Sequence, residues 1–311
     1  MNGGDKKIEI LKPFEEAFEV AKKILFRPFE LKKWCVIGFA AFLSGHFSAG
    51  GFNLPIGNLN PRQQPQTITP PNLEQWKAWL PLTVVAFVVG ILIFILVMMW
   101  LRARGTFIFT DCIVRNRAAI AEPWREYRKE GNSYFLFSLL VGFGVMIAFL
   151  IIAAPVFFFL TVGQREGGAW LIISIATVAF FAICFLAAMF LVNVVAYFMS
   201  PVMYVRRCRA VDAFREVLGL VLDNPVPFIL FCLFGFCLLL GMVMIGGVVT
   251  CLTCCLAALP YVGTVIMLPV FVFLRAFGLR FIRQFGPDYD VWTVNPETPV
   301  AAPPTPPPLQ A

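Results

Sequence analysis

Ionisable side chains are scarce in this sequence: Asp, Glu, Lys and Arg make up 14% of 311 residues, and His46 is the only imidazole. Whole stretches have none of the four. From Trp79 to Leu101, Tyr134 to Thr161 and Trp170 to Met199 no Asp, Glu, Lys or Arg occurs. A water-soluble fold is excluded, because apolar residues reach 59% and arrive in unbroken runs. One histidine leaves no room for chemistry that needs several imidazoles. Gly142 and Gly144 lack the third glycine and the strand context of a dinucleotide loop. No nucleophile with its base, carboxylate pair, phosphate loop or metal cage can be assembled, so neither an enzyme nor a cofactor is expected.

What is present is hydrocarbon. Each charge-free run reaches the roughly 20 residues that a helix needs to cross about 30 Å of lipid. Val226 to Val265 is long enough for two helices, cut at Leu259-Pro260-Tyr261, and the shorter, glycine-rich run from Trp34 to Phe52 supplies another. The runs lack the alternation of barrel strands, so helices are required to satisfy the backbone. The expected fold is an all-α polytopic bundle of about six spans, near 34–52, 79–101, 134–161, 170–199, 226–257 and 261–280, within a 34–285 transmembrane domain. An amphipathic segment (1–33) precedes it. An external loop (53–78) rich in Pro, Asn and Gln follows the first span, and a Pro-rich, disordered tail (286–311) closes the chain.

With spans so placed, only Arg62, Lys77 and Arg165 of the 25 basic residues fall on one side. Basic residues are retained in the cytoplasm, so both termini are expected there, in a bacterial inner membrane. No signal peptide is apparent, the N-terminus being a long charged segment. The formal net charge of +7 then reflects orientation and contact with anionic headgroups rather than nucleic acid.

A short amphipathic segment precedes each outgoing span. Phe14, Phe18, Ala21 and Leu25 form the first apolar face; Ile120, Trp124 and Tyr127 the second; Val211, Phe214, Leu218 and Val221 the third. Such spacing beside a span predicts a helix in the interface. The unit of amphipathic helix, bend, outgoing span and incoming span thus occurs three times, making three hairpins, with Phe18, Trp124 and Phe214 in corresponding places. A threefold set of hairpins invites comparison with mitochondrial carriers. Their acidic signature is missing, since Pro201 to Arg206 reads PVMYVR.

The stretches AFEVAKKILFRPFELKKWCVIGF, RGTFIFTDCIVRNRAAIAEPWREY and RAVDAFREVLGLVLDNPVPFILF resemble uncharacterised bacterial multi-pass membrane proteins, similar to the membrane domain attached to some glycerophosphodiester phosphodiesterases. The resemblance implies a helical membrane domain. It brings no catalytic residues, and the phosphodiesterase catalytic domain has no counterpart in the sequence.

Candidate sites are few. Asn193, the one strongly polar side chain within the fourth span, is expected to hydrogen-bond a neighbouring helix, with a solute contact as the alternative. Asp111, Arg102, Arg104, Arg275 and Arg280 lie at inner span ends, where the arginines can snorkel to the interface. Asp111 pairing with one of them would form an anionic-lipid site, to which Arg125, Arg128 and Lys129 add charge. His46, the Ala41, Gly45, Ala49 ladder with Ser44 and Ser48, and the string Cys251, Cys254, Cys255 are read as packing. Pro155 and Pro269 are expected to kink spans. The function expected is a non-enzymatic scaffold or lipid-interacting protein, with anionic lipid as partner. The alternative is a transporter or channel for a small or amphipathic solute.

Overall fold

The computed structural model describes residues 8–46, 73–162, 167–253 and 259–293. Ten α-helices follow in order: α1 (Leu11–Phe26), α2 (Leu31–Leu43), α3 (Leu73–Val114), α4 (Ala121–Glu126), α5 (Arg128–Val162), α6 (Gly167–Arg206), α7 (Ala210–Asp223), α8 (Pro225–Leu252), α9 (Pro260–Ile266) and α10 (Leu268–Arg283). Among the described residues there is no strand.

Length separates the helices into two kinds. At 1.5 Å per residue the 42 residues of α3 extend about 63 Å, well beyond the hydrocarbon thickness. Among the described residues four stretches are long and apolar enough to cross a membrane: Pro81–Val114, Arg128–Ala154, Ile175–Arg206 and Pro225–Leu252. In the first three the most apolar window contains no buried residue, so its side chains face outward on every side. Only lipid, or another apolar surface, makes that arrangement stable.

The second kind is short. α2 has 13 residues, about 20 Å, and stops inside the span expected over 34–52. Gly45 is the reason. It takes φ +87°, the left-handed turn that ends a helix, and a Cβ there would come within 2.8 Å of the Arg102 side chain. The expected small-residue ladder is therefore broken at its second rung; Ser48 and Ala49 lie outside the described residues. α2 packs along the end of α3. Lys33 Nζ donates to Asn116 Oδ1 (2.9 Å) at one end of the contact. At the other, Gly105 lies so close that a Cβ would meet the Leu43 carbonyl carbon at 2.4 Å.

The span expected over 261–280 falls on α9 and α10, which break at Met267. Pro269, in the first turn of α10, has no N–H to carry a helix across that point. α10 is the most enclosed helix, with Leu268, Phe271, Val272, Phe277 and Phe281 all buried. Around it gathers an aromatic core: Phe231 lies 4.5 Å from Phe281 and 5.1 Å from Phe198, ring centre to ring centre. α5 runs through Pro155 as continuous helix.

Each amphipathic helix packs against a neighbouring helix, α4 on α3 and α7 on α6, each next to it in sequence, and α1 on α10 across the chain's ends. The buried stripe of α1 is Ala17, Ala21, Ile24 and Leu25, which includes Ala21 and Leu25 of the expected apolar face, whereas Phe18 of that face is 57% exposed. Alanines win the inner face because small side chains let α1 approach α10 closely. In α7 the buried residues are Ala210, Ala213, Val217 and Val221, so that of the expected face Val221 is inside and Val211 is exposed. The first N–H of α7 is bonded across to α5, Ala210 N donating to Ser133 Oγ (3.0 Å).

Two other expected boundaries move. The loop expected over 53–78 has become helix by Leu73, and residues 53–72 lie outside the described residues. Residues 287–293, assigned to a disordered tail, form a 3-10 turn and strap: Val291 is buried, Asp290 Oδ2 lies 2.8 Å from Arg283 Nε, and Arg280 sits 3.9 Å over the Trp292 ring. A half-buried ion pair and a stacked cation give this stretch partners that its proline content conceals. Residues 294–311 are outside the described residues.

Candidate functional site

Polar chemistry collects at the basic ends of the helices, in three arginine clusters. The first surrounds Asp111, fully buried near the end of α3. Its Oδ2 accepts from Arg117 Nε (3.1 Å) and its Oδ1 from the Tyr204 hydroxyl (3.0 Å). Arg115 Nε is also 3.1 Å from Oδ1, close enough for an ion pair but not aligned as a hydrogen bond. The partners of Asp111 are thus Arg115 and Arg117, not Arg102, Arg104, Arg275 or Arg280. Four residues along one helical face suffice to bring Arg115 to Asp111. Only the turn after Val114 brings Arg117 back, with Asn116 at φ +50°.

A second ring of acids holds these arginines from behind. Glu126 of α4 accepts from Arg115 Nη2 (2.9 Å) and from Arg207, and Glu122 accepts from Arg117 Nη1 (2.7 Å). Arg207 also lies 3.8 Å over the Tyr127 ring, which stacks on Tyr204 at 4.8 Å. Burial alone would raise the Glu126 pKa, but hydrogen bonds from Arg207 and Arg115 outweigh it and leave the carboxyl below its usual range. For Arg117 burial works downward, and the bonds to Glu122 and Asp111 turn the shift upward. Glu126 and Arg117 are thereby held in their charged forms.

The same pairing recurs around the bundle. Glu16 of α1 lies 3.1 Å from Arg280 of α10, and Glu216 of α7 lies 2.9 Å from Arg206 of α6. In all three units a carboxylate of the amphipathic helix is tied to an arginine in, or in the turn just after, the helix it packs against. Tyr289 of the strap donates to Glu216 (2.7 Å); burial first, then that bond, pushes its pKa up to about 12.

The second cluster is centred on Arg275, 5% exposed. It does not snorkel. Its Nη2 donates to Thr110 Oγ1 (2.8 Å) and Ser200 Oγ (2.7 Å), and its Nε to Thr110 (3.2 Å). Among the described residues it has no carboxylate within ion-pair distance. Thr110 and Ser200 each stand fourteen residues before the unit aromatics Trp124 and Phe214, so α3 and α6 offer hydroxyls from corresponding positions. In the third cluster Arg104, also buried, donates to Asn132 Oδ1 (2.8 Å) and lies 4.3 Å over Trp100 and 4.9 Å over Trp124.

The other candidates lie apart from these centres. Arg125, Arg128 and Lys129 are exposed on α4 and the start of α5, with no ion pair among the described residues. Arg102 is exposed beside Gly45. Asn193 faces outward and donates to Met189 O of its own helix (2.7 Å), not to a neighbour; a carbonyl four residues back is always in reach of such an amide. His46 Nδ1 meets Ser44 Oγ at 2.7 Å, and its ring lies 5.4 Å from Phe109 and 5.2 Å from Phe271. Cys251 is exposed, and Cys254 and Cys255 lie outside the described residues. No group of three His, Cys, Asp or Glu among the described residues could hold a metal ion.

Sequence reasoning treated Arg115, Arg117 and Arg207 as orientation signals, placed Arg275 at the interface as a possible partner of Asp111, and passed over Thr110, Ser200 and Tyr204. The four-residue spacing from Asp111 to Arg115 was the one available signal. The contacts of Tyr204 with Asp111 and of Arg275 with Thr110 and Ser200 join residues 75 to 165 apart.

Apolar helices exposed on every face, joined at one end by buried arginine clusters, define a helical membrane protein. The chain belongs to a family of unknown function, DUF7544, matched over residues 9–286. No curated protein and no solved structure matches it.

Proposed function

We propose that this protein is a non-enzymatic, lipid-interacting scaffold of the cytoplasmic membrane, with three basic elbows gathering anionic lipid on the inner leaflet. The observation that carries this reading is an asymmetry of charge within the elbows. Their carboxylates Glu16, Glu122, Glu126 and Glu216 are bonded to arginines, Glu122 from an exposed position, while Glu15, Glu19 and Asp212 stay on the exposed faces. Their cations Lys23, Arg27, Arg125, Arg128, Lys129 and Arg215 are left without ion pairs among the described residues. Exposed Phe18, Phe26 and Phe29 beside them offer apolar surface at the same level. An unpaired cation near an anionic bilayer gains about 1 kcal/mol, and the apolar rim adds burial in the interface. Both termini are then cytoplasmic, with six crossings in three hairpins, α2 and the α9 and α10 pair serving the first and last. The likeness to membrane domains attached to some glycerophosphodiester phosphodiesterases fits a role in handling or sensing lipid.

The test is the lipid that surrounds the protein. Extracted in polymer-bounded discs, the protein should carry more anionic lipid than the bulk membrane, and the triple variant Arg125→Gln, Arg128→Gln, Lys129→Gln should lose a large part of that excess. Equal lipid composition around both proteins would sink the reading.

A transporter for a small or amphipathic solute has one observation in its favour, the Arg275 guanidinium held inside the bundle by hydroxyls alone. It requires that Arg275→Gln abolish flux of an anionic solute into proteoliposomes. Flux absent from the parent protein removes this second reading.

A further inference from the structure

Between α1, the end of α3 and α10 opens a cleft of about 1050 Å³ at the basic end of the bundle. Its ionic lining is unbalanced: Lys22, Lys23, Arg27, Arg115, Arg117, Arg280 and Arg283 face Glu15, Glu16 and Glu19. Ile24, Ile113 and Val114 give it an apolar floor, and Trp292 of the strap forms one edge.

Two features distinguish this cleft from a merely basic surface. Its arginines are fixed in place, Arg115 and Arg117 by Asp111, Glu126 and Glu122, and Arg280 by Glu16 and the Trp292 ring. They are also short of acceptors. Among the described residues four buried side-chain atoms lack a hydrogen bond, and three of them are nitrogens of cleft arginines: Arg115 Nε, Arg117 Nη2 and Arg280 Nε. Arg117 Nη2 has Glu126 no nearer than 3.9 Å. Those three nitrogens have no accessible surface, so a ligand meets the outer guanidinium edges and the free cations Lys23 and Arg27, and phosphate oxygens match that charge and the guanidinium fork.

We propose that this cleft is a discrete binding site for a phosphate-bearing ligand, Arg117 and Arg280 holding the phosphate from the floor and Lys23 and Arg27 closing over it from α1. Inorganic phosphate would fill a small part of the volume. The apolar floor and the position beside the exposed Phe26 and Phe29 suit a phospholipid headgroup with the first carbons of its chains. The proposal rests on the lipid-interacting reading above and deepens it, replacing a diffuse attraction at all elbows with one stoichiometric site.

The full-length protein in non-ionic detergent is titrated with phosphatidylglycerol, phosphatidylcholine, glycerol 3-phosphate and inorganic phosphate, and bound equivalents are counted by native mass spectrometry. One equivalent of phosphatidylglycerol is expected. Affinity should fall about tenfold or more in Lys23→Gln/Arg27→Gln, whose exposed side chains hold nothing together, and in Arg117→Gln. The elbow variant Arg125→Gln, Arg128→Gln, Lys129→Gln should keep that equivalent while losing its lipid enrichment in discs. Glycerol 3-phosphate binding as tightly as the lipid also supports a phosphate site and identifies its ligand as soluble. Failure of all four probes to bind, phosphatidylcholine binding as well as phosphatidylglycerol, or binding indifferent to both cleft variants overturns the site. If the elbow variant loses its enrichment in that case, the broader reading survives without it.

Discussion

Replacing Asp111 by Asn removes one charge and leaves the shape of the site almost unchanged. Both carboxylate oxygens are in use, Oδ1 by Tyr204 and Arg115 and Oδ2 by Arg117. An amide keeps one acceptor and turns the other position into a donor, so one arginine must face an N–H. Breaking a buried ion pair by removing one partner costs about 3 to 5 kcal/mol. The low end applies here, because the two arginine side chains are 21% and 27% exposed and each keeps a second carboxylate, Glu126 or Glu122. A loss of about 3 kcal/mol, at about 2 °C per kcal/mol for a chain of this size, lowers the apparent Tm by about 6 °C. The assay is thermal unfolding of the purified protein in one detergent, with Glu122→Gln as control. Glu122 is 64% exposed, so its loss should shift stability by less than about 1 kcal/mol. Adding Arg117→Gln to Asp111→Asn should restore about 1 kcal/mol, since the orphaned cation is then gone. If Asp111→Asn unfolds within about 1 °C of the parent, the cluster does not join α3, α4 and α6, and the reasoning fails.

Three further outcomes follow from the same geometry. Gly105→Ala should destabilise by several kcal/mol, as its Cβ would meet the Leu43 backbone at 2.4 Å, whereas Gly142→Ala, with open space around it, should be neutral or mildly stabilising in the same thermal assay. Thr110→Val and Ser200→Ala each leave the Arg275 guanidinium short of an acceptor and should cost about 1 to 3 kcal/mol, while Arg275→Met should cost less than either because the charge leaves with its bonds. The lowered pKa of Glu126 contributes stability that is present in full above the ordinary carboxylate value of about 4.3 and is lost as pH falls through the depressed folded value. Amide exchange in residues 121–126 should therefore stay slow from pH 7 to about 5, once corrected for intrinsic rates, and quicken below about 4. In Arg207→Gln that onset should move to higher pH; an onset that does not move would remove Arg207 from the account.

The membrane class was legible because hydrocarbon demands it locally. A charge-free run of twenty or more residues has few soluble alternatives, and α3, α5, α6 and α8 carry these runs. The amphipathic elbows were legible for a similar reason, since a 3.6-residue period needs no knowledge of the partner. Their register was legible in part: Ala21, Leu25 and Val221 of the expected faces are buried, whereas Phe18 and Val211 are exposed and Ala17 and Ala213 are admitted by α10 and α6 instead. The extent of α2 was not, since its end depends on how Gly45 turns beside Arg102.

By itself, then, the sequence determined a helical membrane protein with its basic residues gathered at one end, because solvent preference and helical period are properties of a single segment. Only the tertiary structure decided which basic residues are internal. Arg115, Arg117, Arg207 and Arg275 read like Arg125, Arg128 and Lys129 along the chain, and what separates them is whether Asp111, Glu126, Thr110 or Ser200 arrives from another element. A charge becomes structural when a distant partner meets it out of water, and that meeting has no signature in either residue alone.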